Sequence, residues 1–147
     1  MIKDTLTNEL VLTNVECKTW REAIQISGNL LLKAGKIKEP FIGSMAKVVE
    51  ELGPYMILLP KVCFFHGQPG ENVNEPCLSL IVFKDSVYFD DFENQEIKCA
   101  FAFGAIDSDS HMQMLMKVAQ LLQNEEFISL ITSNGEKDKI LEIIQKY

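Results

Sequence analysis

Apolar residues in the first part of the chain recur at the spacing of two amphipathic helices. Thr19-Trp20-Arg21-Glu22 has the residue types of a capping box, so the first helix begins there, and Gly35 ends it. Pro40 suits the first turn of the second helix, which ends at Gly53-Pro54. The apolar positions of the two predicted helices are Ala23, Ile24, Ile26, Leu30 and Leu31, and then Phe41, Met45, Val48, Val49 and Leu52.

The middle of the chain changes to short apolar runs, which are typical of buried strands. Each run predicts one strand, at residues 55–59, 62–65, 78–83, 87–89 and 97–103. Between the second and third runs, Gly67-Gln68-Pro69-Gly70-Glu71-Asn72 has the composition of a turn and predicts a loop.

Helical spacing returns in the last part of the chain. Ser108, Asp109 and Ser110 are candidate caps for a helix over residues 111–122, and Asn124 is the candidate cap of the next one. Asn134-Gly135 ends that second helix, and a last helix runs to the C-terminus. The predicted apolar face of the first of these helices is Leu115, Val118, Ala119 and Leu122.

This order of elements predicts a single domain over residues 1–147. Two helices precede several strands, and further helices follow them, which favours the α/β class. We expect a sandwich in which helices pack on a mixed β-sheet. The hydrophobic fraction of 47% is enough for a core of that kind.

The formal net charge of −7 argues against nucleic acid or an anionic membrane surface as a partner. An acidic surface suits docking on a basic protein face, although it can also serve solubility alone. No apolar run approaches the length of a membrane span. The first ten residues carry charges, and the four cysteines form no CxxC pair, so we expect a reduced, cytoplasmic protein without a secretory signal.

The two histidines are the candidates for chemistry. His66 stands where an extended run enters the loop, and Gly67 beside it would let an anion approach the backbone. His111 lies near the start of a predicted helix, where free N–H groups attract anions and the helix dipole favours a neutral imidazole. The alternative is that His66 is an ordinary surface residue and that His111 only contributes to the helix cap.

Paired neutral imidazoles fit phosphoryl relay, because one ring nitrogen can attack phosphorus while the other ring supports the phosphoryl oxygens. The absence of a Gly-rich P-loop argues against ATP as the donor, and no Ser-His-Asp pattern indicates hydrolysis. Cys63 and His66 form a single C-x-x-H, but no second pair with ligand spacing accompanies it, so we predict no metal and no cofactor.

The segments around both histidines resemble those of a known family. They comprise residues 50–55, 60–69, 73–74 and 78–80, and later Asp107-Ser108-Asp109-Ser110-His111 with Leu115, Ala119, Leu121 and Leu122 behind it. In this order they resemble the IIA component of the mannitol/fructose class of the phosphoenolpyruvate-dependent sugar phosphotransferase system. The similarity is greatest to its ascorbate-type members, and it extends from about Val15 to the C-terminus.

The resemblance implies an activity and its partners. In that family a histidine accepts a phosphoryl group from the phosphocarrier HPr and passes it to a cysteine of a IIB component, which serves a membrane-embedded IIC permease. By this resemblance His66 is the acceptor and His111 assists. The loop residues Gly67 and Gln68 are then the candidates for binding the phosphate. The implied fold is a single α/β sandwich.

The sequence departs from the family pattern beside the candidate acceptor. The family usually has a proline before the histidine and Ala-Arg-Pro after it, whereas Phe65 precedes His66 and Gly67-Gln68-Pro69 follows. Val48 stands where many members have an arginine, and Lys61 replaces a usual glycine. We therefore expect the phosphate to be held less firmly, unless Lys61 or Lys47 compensates.

Two other functions remain open on the sequence. One is a regulatory module whose phosphorylated His66 controls another protein without a role in sugar uptake. The other is a descendant that binds partners but no longer accepts phosphate, which Phe65 and Gln68 would favour.

Overall fold

The computed structural model describes residues 1–89 and 94–147, except for the side chains of Pro54, Tyr55 and Leu58. Over these residues the fold is α/β: two long helices precede four consecutive strands and three helices follow them, with short 3₁₀ helices at Asn8–Leu10 and Gly53–Met56. In chain order the elements are α1 Ile2–Thr5, β1 Val11–Val15, α2 Trp20–Lys33, α3 Pro40–Leu52, β2 Ile57–Leu59, β3 Lys61–His66, β4 Cys77–Phe89, β5 Gln95–Gly104, α4 Ser108–Leu121, α5 Glu125–Thr132 and α6 Lys137–Ile144.

The described strands form one mixed sheet in the order β1-β4-β5-β3-β2. β1 runs parallel to β4, and β3 runs parallel to β5. β4 and β5 are antiparallel, as are β2 and β3. The predicted α/β class with a mixed sheet is thus confirmed.

Three strand predictions differ from the structure. β1 was not predicted, because polar Thr13 and Asn14 interrupt its short apolar pattern at the edge of the sheet. The separate strands predicted at 78–83 and 87–89 are one strand, β4, whose register shifts between Val82 and Val87. The strand predicted at 55–59 begins only at Ile57, after the 3₁₀ turn.

The predicted limits of α2 and α3 agree with the structure. The Thr19 hydroxyl accepts a hydrogen bond from the Glu22 N–H at 3.1 Å, as expected for the N-cap of α2. The Glu22 carboxylate reaches the Lys18 N–H at 3.4 Å, so its return contact lies one residue before the cap. α3 begins at Pro40 and ends before Gly53, whose φ of 69° is the left-handed conformation that glycine adopts readily.

The predicted start of α4 is wrong, and its predicted buried face is only partly right. Asp107 is the N-cap, since its carboxylate accepts from the Ser110 N–H at 2.8 Å and the helix begins at Ser108. His111 is therefore the fourth helical residue, and its own N–H already donates to the Asp107 carbonyl oxygen at 3.1 Å. The residues of α4 that are buried are Met114, Val118 and Leu121, whereas the predicted Ala119 is exposed and Leu115 and Leu122 are half-buried.

The two helices that follow α4 agree with the sequence apart from one end. Asn124 caps α5 through a bond from the Phe127 N–H at 2.9 Å, as predicted. Asn134, with a φ of 52°, follows that helix. The last helix ends at Ile144 and does not continue to the C-terminus.

Helices cover the sheet and bury its residues. The central strands β4 and β5 are almost wholly buried over the segments Cys77–Phe83 and Cys99–Gly104. A polar link joins the layers, since the Ser79 hydroxyl of β4 donates to the Ser27 carbonyl oxygen of α2 at 3.0 Å.

In the described part of the chain, no helix has the length and apolar character needed to cross a membrane.

Candidate active site

Two predicted site residues, His66 and His111, meet at the carboxyl ends of the strands β3 and β5. His66 is the last residue of β3, and β5 beside it ends at Gly104 in the same direction. The chain then passes directly into α4, which carries His111. The imidazole centroids lie 5.3 Å apart, with the ring planes at 74°. Ligand sites of α/β proteins commonly lie beyond the carboxyl ends of adjacent strands, where this pair is found.

One ring nitrogen of His66 has a partner. Its Nδ1 lies 3.3 Å from the carbonyl oxygen of Phe64, and because a carbonyl oxygen only accepts, Nδ1 carries the hydrogen. In the neutral ring the lone pair is then on Nε2. Within the described residues Nε2 makes no hydrogen bond. The site therefore presents an imidazole nitrogen with a free lone pair.

Burial keeps both imidazoles neutral. It lowers the pKa of His66, where the bond to the Phe64 carbonyl opposes the effect and the neighbouring His111 adds to it. Burial also lowers the pKa of His111. Both rings are therefore in the form that can attack or hydrogen-bond at neutral pH. The neutral state predicted for His111 agrees with this direction, but its cause is burial.

A cavity of about 470 Å³ opens beside the two rings. Glu51 is the only charged side chain among the described residues that line it. Val48, where the resemblance places an arginine in many family members, also lines it, whereas Lys47 and Lys61 do not. Neither of the two lysines that could compensate for the missing arginine therefore lines the cavity. The other lining residues are Leu52, His66, Gly67, Gln68, Pro69, Ser108, His111 and Met112.

Packing explains the glycine after His66. A Cβ atom at Gly67 would lie 2.5 Å from Ser44 Oγ and 2.9 Å from the Phe41 ring, both on α3. The same Ser44 hydroxyl accepts the Gln68 N–H at 3.2 Å. The loop is thus tied to α3, and the Gln68 backbone amide already has a partner. The exposed Gln68 side chain borders the cavity.

The first amides of α4 lie beside the cavity. Ser108 and Asp109 are the first two helical residues, and in the described part of the chain their N–H groups have no acceptor. Ser108 also lines the cavity. Hydrogen bonds from Ser110 lower the pKa of the capping Asp107 carboxyl, so this group is charged at neutral pH. The free amides are the electropositive groups that α4 offers to an anion.

Phe103 is part of the site and was not predicted. Its ring lies 5.2 Å from that of His66 at 30°, and 5.1 Å from that of His111 at 51°. In the sequence Phe103 is one of several phenylalanines in apolar strands, and this pattern indicates only that its side chain is buried in the core. Its role depends on the parallel register that pairs Phe103 with His66, which no sequence pattern encodes.

Cys63 does not join His66 in a site. The two residues are three apart on β3, so the alternation of a strand places them on opposite faces. Burial raises the pKa of the Cys63 thiol well above its usual range. Among the described residues, no group of three or more histidine, cysteine, aspartate or glutamate residues is arranged to hold a metal ion.

Comparison with known families decides where the chain belongs. The family model for the phosphoenolpyruvate-dependent sugar phosphotransferase system, EIIA 2, matches residues 4–147. The chain is a member of this EIIA family. Its place is therefore in a sugar phosphotransferase system, which moves phosphoryl groups between proteins.

Relatives of this EIIA protein match it over almost its whole length. The ascorbate-specific PTS system EIIA component of Escherichia coli (strain K12) is 25% identical over 147 residues, covering 99% of this chain and 96% of the relative. The solution structure of the mannitol-specific cryptic phosphotransferase enzyme IIA CmtB from Escherichia coli has a TM-score of 0.85 at 27% identity, with 99% of each chain covered.

A third similarity concerns the fold alone. The complex of enzyme IIAMTL and phosphorylated enzyme IIBMTL from Escherichia coli has a TM-score of 0.82 at 19% identity. The match covers 97% of this chain and 98% of the other. The α/β sandwich is therefore the fold of this EIIA protein and of its solved neighbours.

Proposed function

We propose that this EIIA protein is a phosphocarrier that accepts a phosphoryl group from HPr on His66 and passes it to a cysteine of a IIB component. The observation that carries the proposal is the 3.3 Å contact between Nδ1 and the Phe64 carbonyl, which leaves Nε2 as the nucleophile. As the bond from Nε2 to phosphorus forms, the bond from phosphorus to the donor breaks. In the second transfer the cysteine sulfur displaces Nε2.

His111 assists this transfer without accepting the phosphate. Its neutral ring, 5.3 Å from that of His66, can donate a hydrogen bond to a phosphoryl oxygen. The free N–H groups at the start of α4 add support from the same side. Gly67 and Gln68 complete the phosphate-binding site, Gly67 by letting the loop lie close to α3 and Gln68 by its side-chain amide.

The proposed partners follow from the surface and from the relatives. The IIAMTL–IIBMTL complex, which shares the fold, supports a IIB component as the acceptor. The EIIA components named for ascorbate support an ascorbate-type system. The net charge of −7 suits a basic docking face on HPr or IIB and no contact with nucleic acid. The protein works in the cytoplasm and reaches a IIC permease only through IIB.

The test is phosphorylation by phosphoenolpyruvate, enzyme I and HPr, followed by mass spectrometry of the labelled protein. We expect one phosphohistidine, at His66, in the wild type and in His111→Gln. His66→Gln should keep its circular dichroism spectrum and accept no phosphate. Full labelling of His66→Gln would falsify the assignment, and phosphate on His111 would exchange the two roles.

The charge of the cavity wall supports one alternative function, that of a protein that binds partners without accepting phosphate. Because Glu51 is the only charged side chain among the described lining residues, a phosphoryl dianion meets no cation there. This favours a binding-only protein that has lost phosphate acceptance. The same assay separates the two functions, since a binding-only protein stays unlabelled while a known EIIA component is labelled in parallel.

A further inference from the structure

Three rings at the site form a nearly equilateral triangle. The centroids of His66, His111 and Phe103 are separated by 5.1 to 5.3 Å. His66 lies stacked over Phe103 at 30°, while His111 approaches His66 edge-on at 74°. Phe103 thus contacts both imidazoles and is the third member of the arrangement.

Phe103 is fixed by its strand. It is 1% exposed and lies on β5, between Leu78 of β4 and His66 of β3 in the sheet. The two histidines are only partly buried, and one of them stands at the end of its strand. The phenyl ring is therefore the rigid member of the three, and the imidazoles rest against it.

We propose that Phe103 is a positioning residue that holds the plane of the His66 imidazole and its spacing from His111, so that Nε2 faces the incoming phosphorus in one orientation. The hydrogen bond at Nδ1 holds one edge of the imidazole, and the stacked phenyl ring limits the remaining tilt of the ring plane. The proposal concerns the His66 site and rests on the proposed function for its effect on transfer.

The proposal has a chemical consequence for the phosphoryl group. Transfer requires Nε2, phosphorus and the leaving atom to stand nearly in line, and misplacement of the nucleophile slows such reactions strongly. The ring against Phe103 also loses water from one face, which contributes to the burial that keeps His66 neutral. Loss of the phenyl ring should therefore change both orientation and proton affinity.

The chain offers a matched control one step along the same strand. Phe101 is 0% exposed and stacks on Phe64 of β3 at 5.2 Å and 7°. Residues 101 and 103 lie on the same face of β5, so replacing either with leucine removes a buried phenyl ring from the same layer. Only Phe103→Leu removes a phenyl ring that packs against an imidazole.

The experiment compares Phe103→Leu with Phe101→Leu. Proton NMR titration measures the pKa of both histidines in the unphosphorylated protein, and rapid quench measures the rate of labelling by phosphorylated HPr. We expect Phe103→Leu to raise the pKa of His66 towards its ordinary value, to broaden or shift its ring resonances, and to slow labelling about tenfold. Phe101→Leu should leave the His66 pKa and resonances unchanged, even if both variants lose stability.

Equal effects of the two variants on the His66 resonances, pKa and labelling rate would overturn the proposal, because Phe103 would then be ordinary core. If Phe103→Leu fails to fold, Phe103→Met provides the same comparison with a flexible side chain that adapts to irregular gaps in a core. The NMR result needs no partner protein. A wild type that HPr cannot label therefore refutes the proposed function, while the titration still decides the contact between Phe103 and His66.

Discussion

At the scale of single residues, the cavity beside His66 is notable for its charge. A phosphoryl group there carries about two negative charges near neutral pH, yet among the described lining residues the charged one is the acidic Glu51. Neutral groups, namely the Gln68 amide, the His111 ring and the first N–H groups of α4, are left to hold it. Hydrogen bonds from such groups are weaker than those from a guanidinium.

A positive charge at position 68 should therefore improve the site. We expect Gln68→Arg to raise the rate of labelling by HPr roughly threefold to tenfold and to slow spontaneous loss of phosphate, because charge-assisted bonds are stronger. Rapid-quench rates for uptake from HPr and for transfer to IIB measure both steps. The control is Gln120→Arg, an exposed position on α4 nine residues beyond His111.

If the IIB partner is adapted to glutamine at position 68, Gln68→Arg should accept phosphate from HPr faster but pass it to IIB more slowly. If Gln68→Arg and Gln120→Arg leave both half-reactions unchanged, the side chain at position 68 does not contact the phosphoryl group. The assignment of the loop as a phosphate-binding segment would then be wrong.

Both histidines should titrate below the ordinary histidine pKa. Burial lowers the two pKa values, and His111 lowers that of His66 further. We expect His66 to stay neutral to a lower pH than an exposed histidine and to accept phosphate at a rate that falls as the pH drops through its lowered pKa. The folded protein binds these protons less readily than the unfolded chain does. The histidines' contribution to folding stability is therefore fully present above the pKa of the unfolded chain. It is lost as the pH falls through the lower pKa of the folded protein.

Proton NMR provides the measurement, and the presence of only two histidines makes the assignment simple. His66→Gln identifies the remaining resonance, and His111→Gln should raise the pKa of His66 slightly by removing a like charge. A His66 pKa above the ordinary value would contradict the burial of the ring.

At the scale of elements, the start of α4 sets the position of His111. Asp107 caps the helix through Ser110, and the Ser110 hydroxyl accepts in return from the Asp107 N–H at 3.2 Å. We expect Asp107→Ala to destabilise the protein through the loss of the helix cap and to slow transfer by loosening the turn that carries His111. Urea unfolding and labelling rates measure the two effects.

The matched control lies at the next helix. Asn124 caps α5 in the same way, away from the histidines, through the Phe127 N–H. Asn124→Ala should cost similar stability without slowing transfer, and Asp107→Asn should retain most of the cap. Equal slowing by both alanine variants would mean that stability alone, and not the local start of α4, controls the rate.

Elements with a strong local signal were predictable, and those set by tertiary contacts were not. Thr19, Pro40 and Asn124 marked helix starts because caps act within a few residues of the chain. Asp107 was missed as a cap because three neighbouring residues could serve equally well by type. The edge strand β1 was missed because its pairing with β4, rather than its own pattern, defines it.

The candidate site was predictable to the same degree. His66 and His111 could be singled out since they are the two histidines in the sequence, and the structure places their rings together. The role of Gly67 was only partly anticipated, because its contact with Ser44 belongs to the packing of the loop on α3. Phe103 could not be found, because the register of a parallel pair is a property of the whole sheet.

At the scale of the whole molecule, the parallel pairing of β3 with β5 decides when the site comes into existence during folding. The antiparallel neighbours β4 and β5 are close in sequence and can pair early, and β3 joins β5 over a shorter stretch of chain than the one that separates α2 from β4. His66 meets Phe103 only when the pairing of β3 with β5 is complete. Because closing a longer loop costs more entropy, we expect competence for phosphorylation to appear earlier in refolding than the docking of α2 on β4.

The single tryptophan makes this order measurable. Trp20 of α2 stacks on Phe89 of β4 at 5.9 Å, so its fluorescence follows the contact between those two elements. Pulses of phosphorylated HPr during refolding would report the appearance of a reactive His66, and the label should appear before the fluorescence change. Coincident kinetics would show a single cooperative step. If the label comes first, a chain could accept phosphate before α2 has docked, so phosphate acceptance would not mark the finished fold.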